Sequence, residues 1–346
     1  MFNFVYVIIA LTAAFSYGVG NDTYGYRMVL HESPILSNIS LKDFTQSRHQ
    51  PLFVFICSLC RTIYDDLLVL QLVQIFLIYH SLYLVLKKLD LCKFWVLFLF
   101  FGYCYLALLS GRRECFGLAF CLYAMLFYLE NKWAKYYILV LIGFLFHSGM
   151  VIFAVFPLMK LLGNNNFLGI VIIFVCVYII QFVFQYVQLF EEFVNENDSI
   201  VRYSLEEGQQ LQSTTILLIT IELLIFIWYA VRDDNGRQYG YGDKSLVYLG
   251  LLHVALGFLS SALPIIYRYR AHFAVFAYFA LNQCFCNAKN RIVVAAIFLV
   301  FSYTPVATFI YGCKNHPLAF YYCSYFSSQY AKEEMDALTK MVHWND

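Results

Sequence analysis

The feature that most constrains this chain is a succession of apolar runs, each near the ~20 residues a helix needs to cross about 30 Å of hydrocarbon. They fall at about 2–18, 67–86, 94–110, 115–129, 136–160, 167–190, 214–231, 245–266, 271–286 and 291–311, with short charged islands between them. Lipid offers no partners to backbone amides, so such runs must be helices. The expected fold is all-α: one integral membrane domain over 1–346, with about ten transmembrane helices, some short or broken, around an extracytoplasmic-facing cavity. Composition excludes a soluble alternative, because 62% of residues are hydrophobic and 13% charged, against roughly a quarter charged in soluble domains. A net charge of +1, with no Gly-rich phosphate loop and no basic-aromatic tract, leaves no basis for nucleic-acid binding.

Charge placement orients the runs. Lys87, Lys88 and Lys93 form one basic island, Lys132 and Lys135 a second, Arg232, Arg237 and Lys244 a third, Lys289 and Arg291 a fourth. The positive-inside rule puts all four on the cytoplasmic side. The stretch from Phe2 to Tyr17 lacks the basic start of a signal peptide and reads as a first span. Pro51 to Tyr64 is interrupted by Arg61 and followed by Asp65-Asp66; the first two basic islands fall inside only if it does not cross by itself, leaving 19–64 extracytoplasmic. The last two require 136–160 to cross an even number of times. Phe146-His147-Ser148-Gly149 offers a break in that run, so a bent pair of short helices with His147 near the outer vertex is expected; a tilted single span is the alternative. Segment 191–213 and the tail 312–346 then lie outside as well. Single-cysteine labelling is expected to find Lys88, Lys132, Arg237 and Lys289 inside and Asp22, Arg113 and Arg268 outside.

Several polar residues sit where a membrane protein keeps few without reason. Arg112-Arg113-Glu114 joins two runs with almost no loop, which puts a guanidinium at the membrane boundary, where it needs a partner or a wet cavity. Snorkelling or a local pair with Glu114 would suffice. Arg268 and Arg270 are placed the same way between two later runs, and two guanidinium sites on one membrane face suit a diphosphate, whose oxygens a planar fork binds in bidentate fashion. His147 and His272 lie close to these charged sites; a structural hydrogen bond and a proton-transfer role are both open to His147. Asp22 with Tyr24 and Tyr26 combines a carboxylate with aromatic rings suited to sugar hydroxyls and sugar faces, while Asn21-Asp22 and the flanking glycines equally make a turn. Cys57 and Cys60 have redox or metal spacing but no second pair, and the cysteines in or beside apolar runs read as packing residues. No metal site is expected.

Arg113-Glu114-Cys115-Phe116-Gly117-Leu118-Ala119, followed by a span, Lys132 to Lys135, another span and Phe146-His147-Ser148, resembles the EpsG branch of the Wzy-type O-antigen and capsule polymerases, which show an Arg-Gln-x-x-Ala helix start and a Phe-His about thirty residues on. Weaker likenesses follow the family's order: Gly20-Asn21-Asp22-Thr23-Tyr24 with Tyr26, His49-Gln50-Pro51-Leu52, and Arg268-Tyr269-Arg270-Ala271-His272-Phe273. Glu114 stands in place of the usual Gln, Gly117 of Ala, Gln50 of Glu and His272 of Tyr. The resemblance implies a membrane glycosyltransferase without cofactor, on the outer face of the bacterial inner membrane. It would transfer a glycan from an undecaprenyl-diphosphate carrier to the end of a new lipid-linked unit for O-antigen, capsule or exopolysaccharide, and a chain-length-determining co-polymerase is a plausible partner. In that scheme Arg113 and Arg268, with Arg112 and Arg270, hold the diphosphate, His147 or its rival Asp22 serves the acceptor hydroxyl, and Tyr24, Tyr26 and His272 contact sugar. The alternatives are a transporter or flippase of a lipid-linked or amphiphilic substrate, and an O-antigen ligase.

Overall fold

The computed structural model of the chain describes residues 1–18, 22–47, 49–89, 93–100, 111–157, 213–231, 245–259 and 265–287, with single residues and short pieces over 171–178 and 292–337. Among these residues the regular structure is helical apart from one pair of two-residue strands, so the all-α expectation holds. Nearly all of 191–213, most of 167–190 and of 312–346, and both Arg237 and Lys289 lie outside the described residues. The chain divides into two compact units: Met1–Phe94 with Phe101–Ala154 and Pro305–Asp346, and Trp95–Phe100 with Val155–Thr304.

The first unit contains α1 (Phe2–Ala14), α2 (Thr23–Glu32), the short α3 (Leu41–Thr45), α4 (Pro51–Ile63), α5 (Leu67–Lys88), α6 (Arg112–Leu129) and α7 (Trp133–Phe146). Helix α5 is its backbone. Asp66 caps it, accepting the Leu68 amide at 2.8 Å, and Lys87 and Lys88 close it, each charge matched to the helix dipole. Its 22 residues span about 33 Å, and among the described residues it is the one helix long and apolar enough to cross a membrane. Helix α1, at 13 residues, covers about 20 Å, less than the run 2–18 allowed. It packs on α5, where Tyr6 donates to the Tyr79 carbonyl at 2.5 Å.

Helices α6 and α7 form a hairpin closed by a tight helix stop. Asn131 takes the left-handed conformation (φ 58°), the Lys132 amide donates to Phe127 O at 2.9 Å and the Asn131 amide to Tyr128 O at 3.2 Å. That pair of bonds is a Schellman motif, with Asn in the place glycine most often holds. The neighbouring Glu130 accepts from Lys132 at 2.7 Å and from Lys88 at 2.9 Å, tying the hairpin turn to the end of α5. Further along, α6 and α7 meet through glycines: a Cβ on Gly143 would lie 3.0 Å from Gly117 O.

The break expected at Phe146–Gly149 is present. Helix α7 ends at Phe146, His147 is extended (φ −152°, ψ 119°), and a 3₁₀ segment, Ser148–Val155, follows. The segment returns alongside α7: Met150 packs against both Gly117 and Gly143, and the Tyr136 hydroxyl near the start of α7 donates to the Phe153 carbonyl. Chain direction therefore reverses at His147.

A buried cluster of Tyr26, Leu30, Phe53, Cys57, Cys60, Leu67, Leu70, Phe116 and Phe146 joins α2, α4, α5, α6 and α7. Among the described residues of 19–64, α2 and α4 are thus packed on the bundle. At the same end of α5 the segment 323–337 closes over the α1–α2 junction, Ser16–Tyr17 pairing antiparallel with Cys323–Ser324.

The second unit packs α8 (Ser213–Val231), α9 (Ser245–Leu259) and α10 (Ile265–Asn287). Gly250 on α9 makes room for the Phe226 ring of α8, since a Cβ there would fall 2.5 Å from it. Glu222, His253, Asn282 and Gln283 are buried within this apolar unit, polar positions that hydropathy averaging conceals.

Candidate functional site

The two arginines at the start of α6 part company. Arg112 is 1% exposed; its Nη1 donates to Gln74 Oε1 at 3.0 Å and its Nη2 to Gln71 Oε1 at 2.9 Å. Gln71 in turn donates to the α1 terminus, reaching Ala13 O at 3.0 Å and Ser16 O at 2.6 Å. A guanidinium inside an apolar bundle needs partners for its donors, and two glutamines three residues apart on α5 supply them to Nη1 and Nη2, while its Nε is enclosed without one among the described residues. Arg112 therefore packs α6 onto α5 and α1, and its expected share in holding a diphosphate has no exposed group to act through.

Arg113, about 100° around the helix, faces another group of side chains and is only half-buried. Its Nη1 donates to Gln50 Oε1 at 3.4 Å, and its charge acts on the Tyr26 hydroxyl. Its Nε is enclosed without a hydrogen-bond partner among the described residues. Gln50 is placed by being the N-cap of α4, where Pro51 starts the helix without needing an amide donor. Tyr26 is placed by its ring, 8% exposed and edge-on to Phe53 at 5.7 Å. Burial pushes its phenol pKa above the ordinary value, and the Arg113 charge opposes the shift. The ring is thus committed to the core, and the hydroxyl is what Tyr26 offers the site. Tyr24 is half-buried on the same helix.

Glu114 completes the turn. Its Oε1 lies 3.8 Å from His147 Nε2, with side-chain exposures of 28% and 18%. His147 is held there because Phe146, the residue before it, stacks on Phe116 at 5.1 Å and on Phe120 at 5.4 Å. Asp22, exposed at the N-cap of α2, makes no capping bond to that helix, and both Asp22 and Glu114 act electrostatically on the Tyr26 hydroxyl. One end of the first unit therefore gathers Arg113, Glu114, His147, Gln50, Tyr26 and Asp22. Gln50 and Glu114 had entered as motif neighbours, and their part became visible only when α4 and α6 were packed together.

The remaining expected residues fall elsewhere. Arg268, Arg270 and His272 lie on α10 in the second unit, with side chains outside the described residues. Cys57 and Cys60 are buried free thiols in the core cluster.

The Arg113 to His147 block that forms this end lies within a match to the EpsG family over residues 1–327. The chain belongs to the EpsG family. No curated protein and no solved structure matches it. Family membership points to a polysaccharide-polymerase-like role, and together with the apolar helices to a membrane protein.

Proposed function

We propose that this EpsG-family protein is a membrane glycosyltransferase that elongates a polysaccharide, moving a glycan from an undecaprenyl-diphosphate carrier onto the end of a new lipid-linked unit at the outer face of the bacterial inner membrane. The observation that carries the reading is Arg113. It stands at the N-terminus of α6, where backbone amides and the helix dipole also favour an anion, and its hydrogen-bond acceptor is the neutral side-chain amide of Gln50, not a carboxylate. Unlike Arg112, the Arg113 side chain is only half-buried, which leaves part of its guanidinium fork for phosphate oxygens.

In the transfer, the acceptor oxygen forms a bond to the anomeric carbon as the bond from that carbon to the diphosphate oxygen breaks. The electron pair leaves with undecaprenyl diphosphate, so Arg113 acts more strongly as negative charge develops there. The acceptor hydroxyl loses its proton to His147, a base suited to neutral pH; Asp22, at the same end of the unit, is its rival. Arg268 and Arg270 enter as a second cationic pair, argued from their sequence positions alone.

Sidedness follows from charge. Lys88, Glu130 and Lys132 meet at one end of α5, and the Arg113 cluster, Asp66 and the segment 323–337 belong to the other. If the lysines are cytoplasmic, the site is extracytoplasmic. Purified protein supplied only with lipid-diphosphate repeat units should produce longer lipid-linked glycans. Translocation of those units without elongation would favour a transporter instead.

A further inference from the structure

The segment 323–337 makes specific polar contacts with the helix that carries Tyr26. Asp336 takes Arg27 Nη1 on Oδ1 at 2.6 Å and the Tyr17 hydroxyl on Oδ2 at 2.9 Å. Arg27 also lies over the Tyr17 ring, 5.1 Å from its centre. Tyr325 meets Tyr17 edge-on at 5.0 Å and donates to Asp66 Oδ1, the cap of α5, at 3.0 Å. Met335 is fully buried and fills the space over Gly18, where the backbone is left-handed and a Cβ would fall 2.3 Å from the Met335 side chain. These contacts join the end of α1, the side of α2 and the start of α5 through one short stretch. Asp336 itself lies past residue 327, where the family match ends.

Helix α2 needs such support. It has 10 residues and no side-chain cap at its N-terminus, and a helix so short is not stable alone. Tyr26 and Arg27 are consecutive, so their side chains leave the helix about 100° apart: one enters the core against Phe53, the other meets Asp336. The rotation and height of α2 are thus set between the core and the segment.

We propose that Asp336 is a positioning residue for the Arg113 site, holding α2 through Arg27 so that Tyr26 stays packed on Phe53 of α4, the helix whose N-cap Gln50 accepts from the guanidinium. The inference rests on the reading of Arg113 as the diphosphate ligand. Without the Asp336 carboxylate, Arg27 loses its anionic partner, α2 loosens, and the packing of Tyr26 on the helix that presents Gln50 to Arg113 loosens with it.

The test uses the full-length protein, with native lipid-linked repeat units as donor and two readouts. Hydrogen exchange followed by mass spectrometry should show the α2 amides exchanging at least about tenfold faster in Asp336→Ala, with α5 to α7 unchanged. Elongation kinetics should show the donor KM raised about three- to tenfold, a change that a smaller fraction of folded enzyme would not cause. Asp336→Glu should restore both. Unchanged exchange in α2, or faster exchange with an unchanged donor KM, overturns the proposal. Normal elongation by Arg113→Lys would overturn the underlying reading instead, and is distinguishable because exchange in α2 would still respond to Asp336→Ala.

Discussion

At the scale of single residues, the division between Arg112 and Arg113 makes opposite predictions for adjacent positions. Removing Arg112 takes from the buried Gln71 and Gln74 oxygens the guanidinium they accept from. Arg112→Ala should therefore cost about 3 kcal/mol or more in stability, read as lost thermal stability in detergent whether or not substrate is present. His147→Ala should lower turnover by about 10²-fold or more, as expected for a lost general base, with little change in donor KM. Normal turnover in that variant returns His147 to the role of a helix-breaking residue paired with Glu114, and Asp22→Asn should then be the damaging change. The sequence placed both arginines at a membrane boundary but could not separate them, because the separation depends on two glutamines some 40 residues earlier. A sharper signal was present: Gln71 and Gln74 are polar residues three apart in the apolar first half of the run, on one helix face.

At the scale of elements, the α6–α7 hairpin is the part whose geometry depends most visibly on particular residues. Asn131 occupies the left-handed position, so Asn131→Gly should be neutral or slightly stabilising, whereas Asn131→Val should cost about 1–2 kcal/mol, both measured as shifts in thermal unfolding. Glu130, beside it, is held down to about 2 by Lys132 and Lys88, from an ordinary value of 4.5. A carboxyl depressed on folding contributes stability that is fully present above its unfolded value and is lost as pH falls through its folded one. The contribution should therefore be constant from neutral pH to about pH 5 and disappear between about 4.5 and 2. Comparison of wild type with Glu130→Gln across that range isolates it. The hairpin was legible in advance because its signals are local: two apolar runs, a short basic island and the Phe-His-Ser-Gly break. The return of Ser148–Val155 along α7 depends instead on Gly117 and Gly143 admitting Met150, a match of shapes between distant residues.

At the scale of the whole molecule, the first unit has two chemically distinct ends. One holds Lys88, Glu130 and Lys132; the other holds Arg113, His147, Asp22 and the segment 323–337. Single-cysteine labelling should find position 132 accessible from the cytoplasm and positions 22 and 326 from outside, Phe326 being 79% exposed. Labelling of 22 and 326 from opposite sides would break the β1–β2 pairing on which this end is built. Apolar runs and basic islands suffice to orient such a chain, whereas the docking of 323–337 on residues about 300 positions earlier leaves no local pattern to read. The account stands most directly on Arg113 as the ligand of the donor diphosphate. The measurement that tests it is kcat/KM for the lipid-diphosphate donor in purified Arg113→Lys against wild type. Lysine keeps the charge and loses the bidentate fork, so a fall of about 10²-fold or more in protein of normal stability is expected; a value within twofold of wild type would contradict it.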